Sequence, residues 1–465
     1  MLRIFQRYYP IRNIFFVVGE GSFILASVMI ASWAIIGIHS LGFDIWILFK
    51  FFLITFICQL CLYFNDLYDL KITDNLLELG IRLLQALGIS AFILAGIYFL
   101  FPQLILREGI FAISVIFIIV FVILWRLFYM MVLNRGIFNQ KIILVGSGEL
   151  QNKIEKEIQE NKDSGYSVYA KVLENSNGNH KENCIDTPCI IKTGFDGLCE
   201  LAKDMNIRKI IVAITEKRGT FPTKELLKCR VDGIEILDGN SFYEMLTGKL
   251  IVEQINPAWL IFSNGFKKSR TRRFIKRAED LILSVLLLII LLPLIIIIAI
   301  LIKLDSKGPV IFSQERVGKY KKIYRIRKFR SMIADAENKS GPVWAKDDDD
   351  RITHVGKWIR KLRIDEIPQI WNVLKGDMSF VGPRPEREFF TNELEKTIPY
   401  YRERFSVKPG ITGWAQVSYG YGSSVEDAIE KLNYDLFYIK NMSTFMDLMI
   451  VLRTIKTVVF GKGAR

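Results

Sequence analysis

Four apolar runs open the chain, at about 14–38, 45–64, 82–101 and 109–133. At ~1.5 Å per residue each can cross ~30 Å of hydrocarbon, so residues 1–138 are predicted to form a four-span membrane helical bundle. The first run is too long, and too poorly followed by small residues, to be a cleaved leader. Arg3, Arg7 and Arg12 precede it, and Arg126, Arg135 and Lys141 mark the end of the fourth, which puts both ends of the bundle in the cytoplasm, although the 65–81 loop is acidic. Glu20 and Lys50 fall inside predicted spans, where an ionisable side chain is a functional suspect. Both lie near a span end, so snorkelling accounts for them.

From 139 to 265 the pattern changes to short β-rich runs between polar, helix-like segments: Lys141–Val145, Lys209–Ala213 and Ile234–Leu237. Alternation of this kind predicts a Rossmann-like α/β domain with a parallel sheet. The first strand runs into Gly146-Ser-Gly148-Glu-Leu-Gln151, two glycines of a dinucleotide fingerprint with Gln where the third would stand. Glu174 is a candidate ribose partner at loose spacing, and a scaffold or regulatory role fits the domain equally.

Residues 266–304 hold a basic segment and a fifth apolar run. Lys267, Lys268, Arg270, Arg272, Arg273, Lys276 and Arg277 precede 22 uncharged residues, 281–302, and Lys303 and Lys307 follow. The basic cluster suits anionic lipid or serves as a topology signal. Pro293, near the centre of the run, removes a helical hydrogen bond and clashes with the preceding turn. Each limb of about a dozen residues would reach only ~18 Å. A re-entrant helix-break-helix that turns at Pro293 and returns to the cytoplasm fits these facts; a kinked span that places 303–465 outside is the alternative.

Charge sharpens the picture. The formal net charge is +14, and residues 1–266 are neutral, with 25 basic against 25 acidic side chains. All the excess lies in 267–465, which suggests anionic partners such as phosphorylated substrates, lipid headgroups or nucleic acid. With 51% apolar residues the chain is neither disordered nor a single small soluble domain. Its six scattered cysteines make no disulfide framework; Cys58 and Cys61 sit in an apolar helix, lipid-facing or packed.

Histidine is nearly absent, with only His39, His180 and His354, so acid, base and nucleophile roles in the 305–465 domain fall to carboxylates. Asp365 and Glu366 stand together in Arg360-Lys-Leu-Arg363-Ile-Asp365-Glu366-Ile-Pro368, with Pro368 expected in the first turn of a helix whose N-terminus favours anions. Arg325, Arg327, Lys328, Arg330, Arg360, Lys361 and Arg363 surround them in sequence. Carboxylates beside such cations are expected to keep a low pKa and to serve as nucleophile or hard-metal ligands; a salt-bridged surface helix explains the same residues. Two prolines fix the backbone around Arg384 in Gly382-Pro-Arg384-Pro, where a guanidinium could grip a phosphate, and Pro409–Gly413 is a second tight turn. The run Asp347–Asp350 reads as a solvated loop rather than a metal site. Residues 445–460 read as an amphipathic helix on the membrane interface or on the core.

Several of these motifs in order resemble the bacterial sugar transferases, the monotopic polyprenyl-phosphate phosphoglycosyl transferases: Lys328-Phe-Arg-Ser-Met332, Leu362-Arg-Ile-Asp-Glu-Ile-Pro-Gln369, Asn372 through Pro385, and Lys408-Pro-Gly-Ile-Thr-Gly-Trp-Ala-Gln-Val417. The likeness runs from Arg277 to the end of the chain, and the spans plus α/β domain before it resemble the family's long form. The ending, from Ser418 to Arg465, looks like the subgroup found with exosortase-linked exopolysaccharide clusters. Leu292-Pro293 stands where the family often has Ser-Pro, and Asp350 where a proline is frequent. The resemblance implies an α-rich (α+β) catalytic domain anchored by the re-entrant helix on the cytoplasmic face of the bacterial inner membrane. It implies that Asp365 attacks a UDP-sugar, releases UMP and passes the phosphosugar to polyprenyl (undecaprenyl) phosphate. Glu366 and Asp365 would hold Mg²⁺, while Lys328, Arg330, Arg363 and Arg384 would bind phosphate. A homodimer through the α/β domain is implied as well.

Two other classes share parts of this pattern. A membrane-bound nucleotide-sugar dehydratase or epimerase needs Tyr-x-x-x-Lys, and Tyr324 to Lys328 is the only such spacing. A non-enzymatic membrane scaffold of a polysaccharide assembly complex needs no site at all. Nucleic-acid binding is not expected, because the cations flank a lipid anchor rather than a reading helix.

Overall fold

The computed structural model describes residues 2–4, 7–9, 11–37, 44–68, 76–107, 109–134, 139–161, 164–173, 190–214, 221–255, 265–266, 268–333, 351–420, 422 and 424–459. Apart from the extreme N-terminus, the chain divides into two compact units at Leu237/Asp238. Glu174, Lys267 and Asp347–Asp350 lie outside the described residues.

In the first unit the apolar runs become helices α1 (Ile11–Ile36), α2 (Ile45–Phe64), α3 (Leu76–Leu100) and α4 (Ile110–Asn134). Each satisfies its own backbone, as a hydrocarbon solvent demands, and each is long and apolar enough to cross a membrane. Ile24, Val28, Ile54, Leu62, Leu83, Ile118 and Val122 interlock between them, while Phe52, Phe56 and Phe92 face outward. Cys58 and Cys61 are packed inside, the Cys58 thiol donating to Ser90 Oγ at 3.7 Å.

Glu20 does not snorkel. It is fully buried, with Arg126 Nε donating to Oε1 at 2.8 Å and Nη2 lying 2.6 Å away. Arg126 Nη1 also donates to the Leu67 carbonyl. Pairing between α1 and α4 replaces the escape to water. Lys50 does reach a helix end, donating to the Ile105 carbonyl at 3.0 Å.

The α/β portion follows: β1 (Gln140–Val145), α5 (Glu149–Glu160), β2 (Tyr166–Leu173), β3 (Ile190–Thr193), α6 (Leu198–Asp204), β4 (Lys209–Val212), α7 (Thr223–Val231) and β5 (Glu235–Asp238). The sheet order is β3-β2-β1-β4-β5, with β1 parallel to β2 and β4, and Ile143 opposite Ala170 and Ile210. This doubly wound order puts its switch point at the end of β1, where Gly146 stands. A side chain there would meet the Ala213 carbonyl oxygen at 2.7 Å, and φ is +130°, so only glycine fits. Gln151 packs fully buried against the sheet where a third glycine would stand.

The second unit begins with α8 (Gly239–Thr247), which the sequence pattern assigns to the α/β domain. The strap that follows is fastened to the C-terminal core instead: Trp414 Nε1 donates to Gly248 O, and Asn433 accepts from Leu250 N and Val252 N. Asn433 is not legible as a clamp from sequence, because even the nearer of these partners, Val252, lies 181 residues away.

Next comes α9 (Arg270–Asp305), one helix of 36 residues that runs unbroken through Pro293. The expected two limbs are therefore a single element: proline removes one hydrogen bond at one turn, and the packing of both flanks outweighs it. Leu283, Leu287, Leu288 and Leu291 pack on one core cluster, and Leu294, Ile295, Ile298 and Ile302 on another, while Ile289, Ile290, Ile296 and Ile300 stay exposed. Both ends are tied to the same unit. Asp280 accepts from Ser379 Oγ and Phe380 N, and Asp305 accepts from Val355 N. The basic cluster is largely engaged in structure: Arg272 and Lys276 pair with Asp447, Lys268 donates to Lys440 O, and Arg277 to the Val373 and Leu374 carbonyls.

The remaining elements are the antiparallel β6 (Ile311–Val317) and β7 (Ile323–Phe329), α10 (His354–Lys361), α11 (Gln369–Lys375), β8 (Ser379–Val381), α12 (Glu388–Thr397), β9 (Gly410–Thr412), α13 (Trp414–Ser418), α14 (Val425–Asn441) and α15 (Thr444–Val459). They enclose a core of Ile326, Ile370, Val373, Tyr401, Trp414, Leu436 and Tyr438. The amphipathic α15 packs on that core through Met446 and Ile450.

Arg330 is a structural clamp rather than a phosphate ligand. It is 6% exposed and donates to the Ser306 carbonyl at 2.7 Å, Ser306 Oγ at 2.9 Å and Lys307 O at 3.1 Å, closing the C-terminal end of α9. Its fork is consumed by carbonyls the helix leaves open.

Arg330→Met should lower the unfolding free energy by about 2–3 kcal/mol in a urea titration, with Arg330→Lys recovering only part, because charged hydrogen bonds to open carbonyls are lost. Glu20→Leu or Arg126→Met alone should cost about 3–5 kcal/mol in detergent, and the double replacement should recover most of it, because the singles strand a buried charge and the double does not.

Candidate active site

The dyad is built between α10 and α11. Thr353 caps α10 by accepting from Gly356 N, the helix ends at Lys361, and Arg363 beyond it takes a left-handed φ of +53°. A 3-10 turn, Ile364–Glu366, follows before Pro368 caps α11. Asp365 and Glu366 thus stand ahead of the helix rather than in its first turn, and the expected helix-dipole support is replaced by side-chain cations. Ile364 and Ile367 anchor in the core on either side, leaving the two carboxylates between them at the surface of the fold.

Strand β7 supplies the first cation. Lys328 pairs opposite Phe312 in the hairpin, and its Nζ lies 2.8 Å from Glu366 Oε1 and 3.9 Å from Asp365 Oδ2. Asn372 staples α11 to this strand, accepting from Arg327 N and donating to Arg325 O, so strand and dyad hold their distance. Arg384 supplies the second cation, Nη2 lying 3.1 Å from the same Glu366 oxygen. Its loop is pinned by Gly382 N to Thr412 O and Gly410 N to Pro383 O.

Arg404 and Asp435 support that loop and carry no local sequence signal. Arg404 is buried, donating to the Arg384 carbonyl at 3.1 Å and to Asp435 at 2.9 Å. Arg316 donates to Pro385 O from the other side. These partners are distant in sequence, so only the tertiary fold brings them together.

The two carboxyls differ, against the expectation of a low pKa for both. Burial pushes Asp365 up to about 6 against the opposing pull of Lys328. Burial acts on Glu366 too, but Lys328, Arg384 and Arg363 outweigh it and hold Glu366 well below the ordinary carboxylate range. Asp365 is still mostly ionised at neutral pH, and it has no cation in direct hydrogen bond among the described residues. A phosphate that drew Lys328 and Arg384 toward itself would lie against Asp365.

Of the expected phosphate ligands, the structure brings Lys328 and Arg384 to the dyad, sets Arg363 beside it, and removes Arg330 to the end of α9. Among the described residues no group of three or more His, Cys, Asp and Glu converges as a metal cage. Two adjacent carboxylates fit a Mg²⁺ ion completed by substrate phosphate and water, the usual habit of that ion. Tyr324 and Lys328 lie four residues apart along a strand, about 13 Å, so they cannot act together as a hydride-transfer pair.

The model of the family described as Bacterial sugar transferase matches residues 271–461, and that of the CoA-binding domain matches 63–236. A UDP-N-acetylgalactosamine-undecaprenyl-phosphate N-acetylgalactosaminephosphotransferase of Aeromonas hydrophila is 44% identical over 240 residues, 52% of this chain and 56% of that one. An undecaprenyl-phosphate glucose phosphotransferase of Komagataeibacter xylinus is 43% identical over 218 residues, 46% of this chain and 41% of that one. The matched stretch thus spans about half the length of these two relatives. An undecaprenyl-phosphate galactose phosphotransferase of Salmonella typhimurium is 32% identical over 355 residues, 71% of each chain. With that coverage, and with the dyad and its cations assembled inside the matched region, the chain belongs to the bacterial sugar transferase family.

Proposed function

We propose that this protein transfers a sugar 1-phosphate from a UDP-sugar to polyprenyl phosphate, releasing UMP and priming exopolysaccharide synthesis. The observation that carries the reading is the unequal dyad: Glu366 takes both cations at hydrogen-bond distance, while Asp365 is ionised, largely desolvated and without such a bond.

Asp365 attacks the sugar-bearing phosphorus, a P–O bond to the aspartyl oxygen forms, and the bond to UMP breaks as UMP leaves with its electron pair. A phosphate oxygen of the polyprenyl acceptor then attacks the same phosphorus and expels Asp365. Lys328 and Arg384 neutralise the phosphate oxygens in both steps, and Arg363 adds its charge beside Glu366. Asp365 and Glu366 would hold Mg²⁺, which would supply further charge neutralisation when bound.

The membrane geometry belongs to the same reading. Both ends of α9 are fastened to one folded unit, which favours a helix held against that unit at one membrane face over a crossing that leaves the unit on the far side. The exposed apolar stripe Ile289, Ile290, Ile296 and Ile300 then faces lipid, the dyad lies near the headgroups of the inner leaflet, and the acceptor phosphate meets it there. The catalytic unit is cytoplasmic, on the bacterial inner membrane. A homodimer and an exosortase-linked pathway are the family-derived parts of the proposal. Relatives named for N-acetylgalactosamine make UDP-N-acetylgalactosamine the first donor to try.

Wild-type protein with Mg²⁺ and polyprenyl phosphate should release UMP from one donor of a UDP-sugar panel, and Asp365→Asn should fall by roughly 10³-fold or more. Equal release from both removes Asp365 from the mechanism, and no release from any donor favours a scaffold. Lys307→Cys should react with a membrane-impermeant maleimide only after the cytoplasmic face is opened. Labelling in intact cells would overturn the one-face topology.

A further inference from the structure

The turn after α11 gathers cations that the dyad does not use. Gly376 stands at φ +97°, and a side chain built on it would lie 3.5 Å from both Arg277 Nη2 and Lys408 Nζ, so the two cationic groups converge on one point of the turn. Lys319 adds a third positive charge to the field at Lys408.

The nearby carboxylates are already engaged. Asp280 accepts from Ser379 Oγ at 3.0 Å and from Phe380 N at 3.1 Å, and Asp377 pairs with Lys375 at 3.5 Å. Neither forms an ion pair with Lys408 or Arg277 among the described residues. Arg277 directs two of its five N–H donors to the Val373 and Leu374 carbonyls and keeps the rest. Lys408 is half-buried, and its three donors meet no hydrogen-bond partner among the described residues. Burial and the neighbouring Arg277 draw its ammonium below the ordinary lysine range, against the weaker opposing pull of Asp280 and Asp377. The dyad precedes the N-terminal end of α11 and Gly376 caps its C-terminal end, so this cluster is separate from the dyad.

We propose that Lys408 and Arg277, flanked by Lys319 at the Gly376–Asp377 turn, form a second phosphate-binding site. A phosphate presents several acceptor oxygens and more than one negative charge, which matches two converging cations with unused donors better than a carboxylate or chloride does. Arg277 stands just before the uncharged stretch of α9, so a phospholipid headgroup and free phosphate ion both have the required chemistry and access.

The test uses the full-length protein in detergent, titrated with inorganic phosphate at constant ionic strength against chloride, with thermal unfolding as readout. Wild type should be stabilised by phosphate and not by chloride. Lys408→Gln should shift the half-saturating phosphate concentration upward by about tenfold or more, Lys408→Arg should restore it, and Lys319→Gln should give a smaller shift. In parallel, phospholipid retained through purification is extracted and counted. One more phospholipid per chain in wild type than in Lys408→Gln identifies the headgroup as occupant, and equal counts with the titration shift intact identify free phosphate. Equal responses of wild type and Lys408→Gln with equal retained lipid, or a chloride response matching that of phosphate, would overturn the site.

Discussion

Two adjacent carboxylates and a small set of cations cannot be satisfied evenly, and the chemistry of this fold rests on how they are divided. Glu366 holds Lys328 and Arg384 on one oxygen, so it is the group that keeps both cations in place. Asp365 is left beside them, ionised but without a direct hydrogen bond. Equal sharing would have buried the Asp365 charge in a permanent ion pair, where Coulomb attraction and lost basicity would both oppose the attack proposed for it. The two carboxylates therefore sit in different environments despite sharing a backbone turn, and the difference comes from which oxygen the cations reach.

That division requires three separate elements to arrive at fixed distances. Lys328 comes on a strand stapled to α11 by Asn372, and Arg384 on a loop whose carbonyl is held by the buried Arg404. Arg404 is itself paired with Asp435, whose carboxyl burial pushes up to about 6 against the pull of that arginine. An ion pair this deep contributes little net stability, since desolvation offsets attraction. Its use here is geometric: it helps hold the loop that carries Arg384.

Much of this is legible in the sequence. Lipid demands long contiguous apolar runs, so the helices of the first unit fall where those runs lie, and alternation of short β-rich and polar segments marks the α/β sheet down to its glycine at the switch point. The dyad and its two partner cations are readable because motif residues sit in one short turn and two short segments. Arg330 deceives because a cation beside a motif looks the same whether it faces a substrate or the open end of a helix. Glu20 deceives because its partner, Arg126, is 106 residues away, and depth along a span says nothing about pairing. The division at Leu237/Asp238 is hidden for the same reason, since the strap is assigned by partners on α14 rather than by its own composition.

Pro293 shows how a local rule yields to packing. Proline in mid-helix should cost about 3 kcal/mol, and on local grounds α9 should divide there. Yet leucines and isoleucines on one stripe pack against the same folded unit before and after the proline, and polar clamps at Asp280 and Asp305 fix the helix on both sides of it. Burying even three or four such side chains contributes more than the lost hydrogen bond removes. The same anchoring leaves the opposite stripe, Ile289, Ile290, Ile296 and Ile300, exposed on the folded unit. Under the proposed topology that stripe faces hydrocarbon, and a helix held in this way would carry its folded unit against the lipid surface.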